Sequence, residues 1–144
     1  VVGERLPQCR QHSATLYNDA VILFGGSCID NDNSTGGGAG ETLVQMTDHL
    51  LVMTIKNLSF ISLKRIPLSR PIFMRRGHSL SRYTNDSLLL LGGILPIYLT
   101  KFREALLFQF KANITVKVIP YFNFSIFDHH VVGEYIFSGF RNWA

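Results

Sequence analysis

The chain has 144 residues, 47% of them apolar and 17% charged, with a formal net charge of +4. That balance excludes a disordered polyelectrolyte and demands extensive burial. The most apolar stretch, Ser87 to Leu99, is interrupted by Gly92-Gly93 and Pro96 and falls short of the roughly 18 residues that a membrane span needs, so no span is expected.

Taken in order, the chain first presents Pro7, then Arg10-Gln11-His12-Ser13-Ala14, the turn signal Asn18-Asp19, and the apolar run Val21-Ile22-Leu23-Phe24 ending in Gly25-Gly26. Asn and Asp tolerate left-handed backbone angles and bond their own backbone, so Asn18-Asp19 predicts a tight hairpin between two strands. Glycine has no Cβ, so Gly25-Gly26 is where the chain turns sharply or lets another backbone approach. If the turn has two residues, Cys9 and Cys28 face each other in the extrapolated register. A disulfide is then geometrically open, while a reducing compartment would leave two thiols; two cysteines by themselves decide neither.

Ser27 to Thr47 reads as a long loop with a Gly-rich centre. A phosphate-cradling role fails on chemistry: the P-loop lysine is absent and Glu41 would repel phosphate. Asp48 to Ile55 predicts a third strand, Asn57-Leu58 a turn, and Ser59 to Leu63 a fourth strand. Basic residues follow at Lys64-Arg65, Arg70 and Arg75-Arg76. No nucleic-acid motif accompanies them, so no nucleic-acid partner is predicted and they read as part of a connection.

The pattern then repeats. Arg75-Arg76-Gly77-His78-Ser79 leads to Asn85-Asp86 and to Leu88-Leu89-Leu90-Leu91-Gly92-Gly93. A shorter loop, Ile94 to Glu104, carries Tyr98, Lys101, Phe102 and Arg103. Strands are predicted at Ala105 to Phe110 and Ile114 to Ile119, and Tyr135 to Gly139 is a degenerate third copy. The spacing, roughly 50 to 65 residues, is near the long periods of propeller repeats.

Arg10 to Gly26 and Arg75 to Gly93 resemble kelch repeats, each of which forms one four-stranded propeller blade. The Gly77-His78 step and the apolar strand ending in Gly92-Gly93 match the family pattern; Gln11 stands where the family usually has Gly. The resemblance implies an all-β, partial kelch-type β-propeller of four-stranded antiparallel blades: blade 1 about 7–66, blade 2 about 67–119 and an incomplete blade 3 about 120–144. His12, Gly25, Gly26, Gly77, His78, Gly92 and Gly93 are then the structural repeat motif. Propellers close with roughly 4 to 8 blades, so the remaining blades are expected from sequence outside this stretch or from another chain.

Such a scaffold implies a protein-interaction module. Both long loops leave the same edge of successive units, and loops on a rigid scaffold concentrate function. The candidate contacts are Tyr98, Lys101, Phe102 and Arg103, aromatic and cationic types suited to interface centres. No catalytic residues, cofactor or metal ligands are expected: the histidines lack ligand spacing, and Ser13 and Ser79 merely follow a histidine in sequence. Five sequons, at Asn33, Asn57, Asn85, Asn113 and Asn123, fit either glycosylation or repeated turn chemistry. Sparse cysteine favours an intracellular location, with an extracellular glycosylated recognition domain as the alternative.

Overall fold

The computed structural model describes residues 2–3, 8–30, 42–43, 45–57, 60–95, 102–119, 129–132 and 135–138. Among these, the regular structure is all strand: β1 (Val2–Gly3), β2 (Gln8–Arg10), β3 (Ser13–Tyr17), β4 (Ala20–Phe24), β5 (Ser27–Asp30), β6 (Thr42–Leu43), β7 (Met46–Asn57), β8 (Phe60–Phe73), β9 (Ser79–Thr84), β10 (Ser87–Leu91), β11 (Ala105–Phe110), β12 (Ile114–Ile119), β13 (His129–Val132) and β14 (Tyr135–Ser138).

Eight strands run in the order β3-β4-β7-β8-β12-β11-β10-β9. Neighbours from β3 to β8 are antiparallel, as are those from β12 to β9. The two halves, here unit 1 (β3, β4, β7, β8) and unit 2 (β9 to β12), join through one parallel bridge, Leu68 to Ile114. At the other end of the order β3 lies against β9, so the sheet nearly closes on itself. Between the halves sits the core: Ile22, Phe24, Leu50, Leu68 and Ile72 from unit 1 meet Leu80, Leu88, Leu90, Leu106, Phe108 and Ile114 from unit 2. This burial is the main stabilising term for the arrangement.

The units are copies at the backbone level. In unit 1 the Asn18-Asp19 hairpin keeps an unbroken register from Tyr17–Ala20 through Ser13–Phe24 and on to Arg10–Ser27, Cys9–Cys28 and Gln8–Ile29. Unit 2 pairs Ser79 with Leu91 and then Arg76 with Ile94 across the same two-residue gap. Within that gap Gln11, Gly25 and Gly26 have φ of 59°, 72° and 92°, and Gly77, Gly92 and Gly93 have 63°, 61° and 92°. The left-handed angles therefore recur at matching places, and Gln11 adopts the one that Gly77 supplies without steric cost. Unit 2 has one extra residue in its hairpin, absorbed by an irregularity beside Leu88.

Matching positions nevertheless face opposite ways. In unit 1 the core residues on the second and third strands are Ile22, Phe24 and Leu50. Their counterparts in unit 2, Leu89, Leu91 and Ala105, alternate away from the core residues Leu88, Leu90 and Leu106. Because successive strand residues point to opposite faces, unit 1 packs its front on the back of unit 2. A two-fold sandwich would bury the same positions in both halves.

Two expectations change in detail. β8 runs through Pro67 and Pro71 to Phe73, so the proline-marked unit boundary near 66/67 falls inside a strand. The side of β8 away from β7 is paired at only a few positions, and an edge tolerates a residue without an N–H. The long loop of unit 1 is also stemmed: β5 pairs with β6 and with β2 in a separate three-stranded sheet. In the region of the third copy, β13 and β14 form an antiparallel hairpin.

Candidate interaction edge

The glycine pairs of both units meet at one edge. The Gly26 N–H donates to the Arg75 carbonyl at 2.7 Å, and a Cβ on Gly26 would stand 2.6 Å from the Arg10 carbonyl oxygen. A Cβ on Gly25 would lie 2.5 Å from His78 Cε1, and one on Gly93 3.0 Å from both Arg76 O and His78 Cβ. These contacts are closer than carbon normally makes: at Gly25 they cross between the units, whereas at Gly26 and Gly93 they lie within the glycine's own unit, against the strand opposite. His78 occupies the space they leave. Its Nε2 donates to the Phe24 carbonyl at 3.1 Å and lies 2.8 Å from Ser13 Oγ, and its ring meets Phe24 edge-on.

Arg75 anchors the base of the second loop. It is 1% exposed, with its guanidinium carbon 3.8 Å from the centre of the Phe102 ring. It donates to the Gly92 carbonyl at 3.4 Å and lies 3.7 Å from a Glu104 carboxylate oxygen. Burial pushes its pKa down to about 10, while Glu104 acts in the opposite direction; the group stays cationic at neutral pH. The loop is cinched by the Phe102 N–H donating to Gly93 O at 2.9 Å, and Arg76 and Ile94 exchange two backbone bonds of 3.0 Å. At the first loop, the Met74 N–H donates to Gln45 O, and the Cys9–Cys28 disulfide staples β2 to β5.

Of the sequence-predicted contacts, Arg103 is exposed and Phe102 is half-buried beneath Arg75. Tyr98 and Lys101 lie outside the described residues. The motif residues Gly25, Gly26, Gly77, His78, Gly92 and Gly93 gather at this edge, and His12, the counterpart of His78, is exposed. Sequence reasoning missed the division of labour in the Arg75-Arg76 step: one guanidinium is buried, whereas the other reaches Gln11 Oε1 at 3.2 Å near the surface. Nothing in two consecutive arginines signals which turns inward.

Exposed Arg10 and Arg103, with half-buried Arg76, give the edge a positive rim. The opposite edge carries the hairpin tips, where Asn57, Asn85 and Asn113 are exposed; Asn33 and Asn123 lie outside the described residues. Among the described residues no group of His, Cys, Asp or Glu is placed to hold a metal ion, and no helix is long and apolar enough to cross a membrane. The sequence matches no protein-family model and no curated protein.

Proposed function

We propose that the chain is part of a kelch-type propeller scaffold that presents one loop edge to a protein partner. The observation that carries this reading is the front-to-back packing of two copies of one backbone pattern. Such packing is heterologous, so it propagates from unit to unit, closing as a ring or running on as an open solenoid. The His-Ser and Gly-Gly steps form the seam between units, as expected of a repeat motif. At that seam the loops 27–47 and 94–104 emerge together, on bases fixed by Arg75, Phe102 and the disulfide. Loops on bases fixed this way suit recognition rather than catalysis, and the scaffold reading assigns no catalytic residue and no cofactor. The basic rim of Arg10, Arg76 and Arg103 favours a partner surface rich in Asp and Glu through charge complementarity.

The test is affinity capture with the unaltered protein and with an Arg10→Glu/Arg103→Glu variant. Both residues are exposed, so the melting curve should not move. A protein retained by the first and lost by the second supports the loop edge; identical sets of captured proteins would sink it.

The disulfide favours a second reading, an extracellular recognition domain. Disulfides persist in oxidising compartments, and the cytosol keeps most cysteines reduced. Glycans on Asn57, Asn85 and Asn113 would then coat the turn edge and leave the loop edge bare. Thiol titration of the protein from its source, with a glycosidase mobility shift, separates the two. Two free thiols and no shift place it inside the cell; no thiols and a shift place it outside.

A further inference from the structure

We infer that Cys9 Sγ is a thiol-exchange site: a low-molecular-weight thiol attacks the disulfide there, and the mixed disulfide that forms unfastens unit 1 from unit 2 at the loop edge. The inference concerns chemistry at the seam and holds whatever the loop edge binds.

The two sulfurs of the Cys9–Cys28 bond have unequal surroundings. Cys28 is 4% exposed and stands on β5, the middle strand between β2 and β6. Cys9 is half-buried between exposed Gln8 and Arg10 on β2, the end strand of that small sheet. A thiolate attacks the sulfur it can reach, so access selects Cys9. Cys28 is then the leaving group. Its Sγ lies 3.5 Å from the Gly25 carbonyl oxygen, so an acceptor for the new thiol is already in place.

The exchange balances with the thiol as its only co-reactant. The incoming sulfur bonds to Cys9 Sγ, the bond between the two Sγ atoms breaks, and Cys28 leaves with the electron pair and takes a proton from water. A second thiolate attacks the outer sulfur of the adduct, which frees Cys9 as a thiolate and the small molecule as its own disulfide. The return path is open as well. Cys9 and Cys28 are directly opposite in the ladder, so the Cys28 thiolate can attack Cys9 Sγ, expel the small thiol and restore the original bond.

The strands that the bond joins also hold unit 2. β2 leads into Gln11, whose Oε1 accepts from the Arg76 guanidinium at 3.2 Å. β5 follows Gly26, whose N–H donates to the Arg75 carbonyl at 2.7 Å. The disulfide therefore ties together the two segments of unit 1 that meet the Arg75-Arg76 step. Gln8–Ile29, Cys9–Cys28 and Arg10–Ser27 are the register pairs between those strands, and Cys9–Cys28 is the central one. A peptide-sized adduct on Cys9 needs the room that the buried Cys28 side chain fills, so β2 must part from β5 and both contacts with unit 2 loosen together.

The experiment treats the disulfide-bonded protein with reduced glutathione under native conditions, quenches with acid at intervals and maps the products by mass spectrometry. The glutathione adduct is expected on Cys9, with Cys28 free to take an alkylating label. Single variants check the assignment without the bond. The Cys9 thiol of Cys28→Ser should react with glutathione disulfide at least about tenfold faster than the Cys28 thiol of Cys9→Ser, because access sets the rate. In the Cys9 adduct of Cys28→Ser, hydrogen exchange at the Gly26 amide should be at least about tenfold faster than in the disulfide-bonded protein. The Phe102 amide, bonded within unit 2 to Gly93 O, should keep its rate. An adduct on Cys28, equal rates for the two thiols, or exchange that begins only in denaturant overturns the inference. So does reduction by a dithiol protein alone with no glutathione adduct, or a Gly26 amide that stays protected in the adduct.

Discussion

Ser13 Oγ lies 2.8 Å from His78 Nε2, and this contact crosses from unit 1 to unit 2. The imidazole also donates to the Phe24 carbonyl, so one side chain of unit 2 is fixed by two strands of unit 1. A double-mutant cycle between Ser13→Ala and His78→Ala should give a coupling of about 1 kcal/mol, the size of a partly buried hydrogen bond. Additive losses within about 0.3 kcal/mol would show that the units meet there without mutual support.

Gly26→Val and Gly93→Val should each destabilise the fold by about 2 kcal/mol or more. Both residues have φ of 92°, outside the left-handed well that other residues visit, and such strain alone costs of order 1–3 kcal/mol. The Arg10 and Arg76 carbonyls then add contact with the new Cβ. Gly77→Asn is the control. Its φ of 63° lies inside the well that asparagine tolerates, so its denaturant midpoint should fall much less. Equal shifts for all three variants would mean that backbone angle is not what selects glycine here.

Arg75→Ala should cost about 2–3 kcal/mol, because it leaves the Gly92 carbonyl without its charged donor and uncovers Phe102. Arg75→Lys should recover only part of this, since an ammonium cannot lie flat over a ring and reach the carbonyl at once. The loss should not vary with pH in the ordinary range. Folding lowers the proton affinity of Arg75, so its desolvation cost is constant below about pH 10 and is relieved only above that, where the unfolded chain alone keeps the proton. Urea melts of wild type and Arg75→Ala from about pH 5 to about pH 9 should therefore stay a fixed distance apart.

Phe102 was legible in the sequence as an aromatic beside cations, but its place was not. The ring is the floor under Arg75, so Phe102→Ala will disturb the fold as well as any interface, and Arg103 is the cleaner probe. The hairpins were the most legible feature. Asn18-Asp19 and Asn85-Asp86 set two-residue turns, and Ala105–Phe110 and Ile114–Ile119 are strands with the bounds their patterns predict. The long extension of β8 was hidden by Pro67 and Pro71, which break strands in general and are tolerated on a sparsely paired edge. The face each strand buries was hidden as well. Leu88 to Leu91 is apolar without alternation, because both faces of unit 2 demand burial.

The Cys9–Cys28 pair links fold to compartment and gives the last test. The two residues are 19 apart in sequence and directly opposite in the β2–β5 ladder, so the bond closes the hairpin whose tip is Asn18-Asp19. A loop of that size, closed in the unfolded chain, stabilises the native state by about 3 kcal/mol in the chain-entropy model. The ladder beyond the bond is short: β2 has three residues and β5 four. Beside it Gln11, Gly25 and Gly26 leave the extended conformation, so little else fastens β2 to β5. Reduction, or the Cys9→Ser/Cys28→Ser variant, should therefore lower the thermal midpoint and release β2, β5 and the base of the first loop before the rest. Hydrogen exchange should show amides of Gln8 to Arg10 and Ser27 to Ile29 losing protection on reduction, while Ile22, Phe24, Leu50 and Val52, whose side chains pack in or against the core, keep theirs. Uniform loss across both groups would show that the disulfide supports the whole unit, and no loss in either would show that the ladder stands without it.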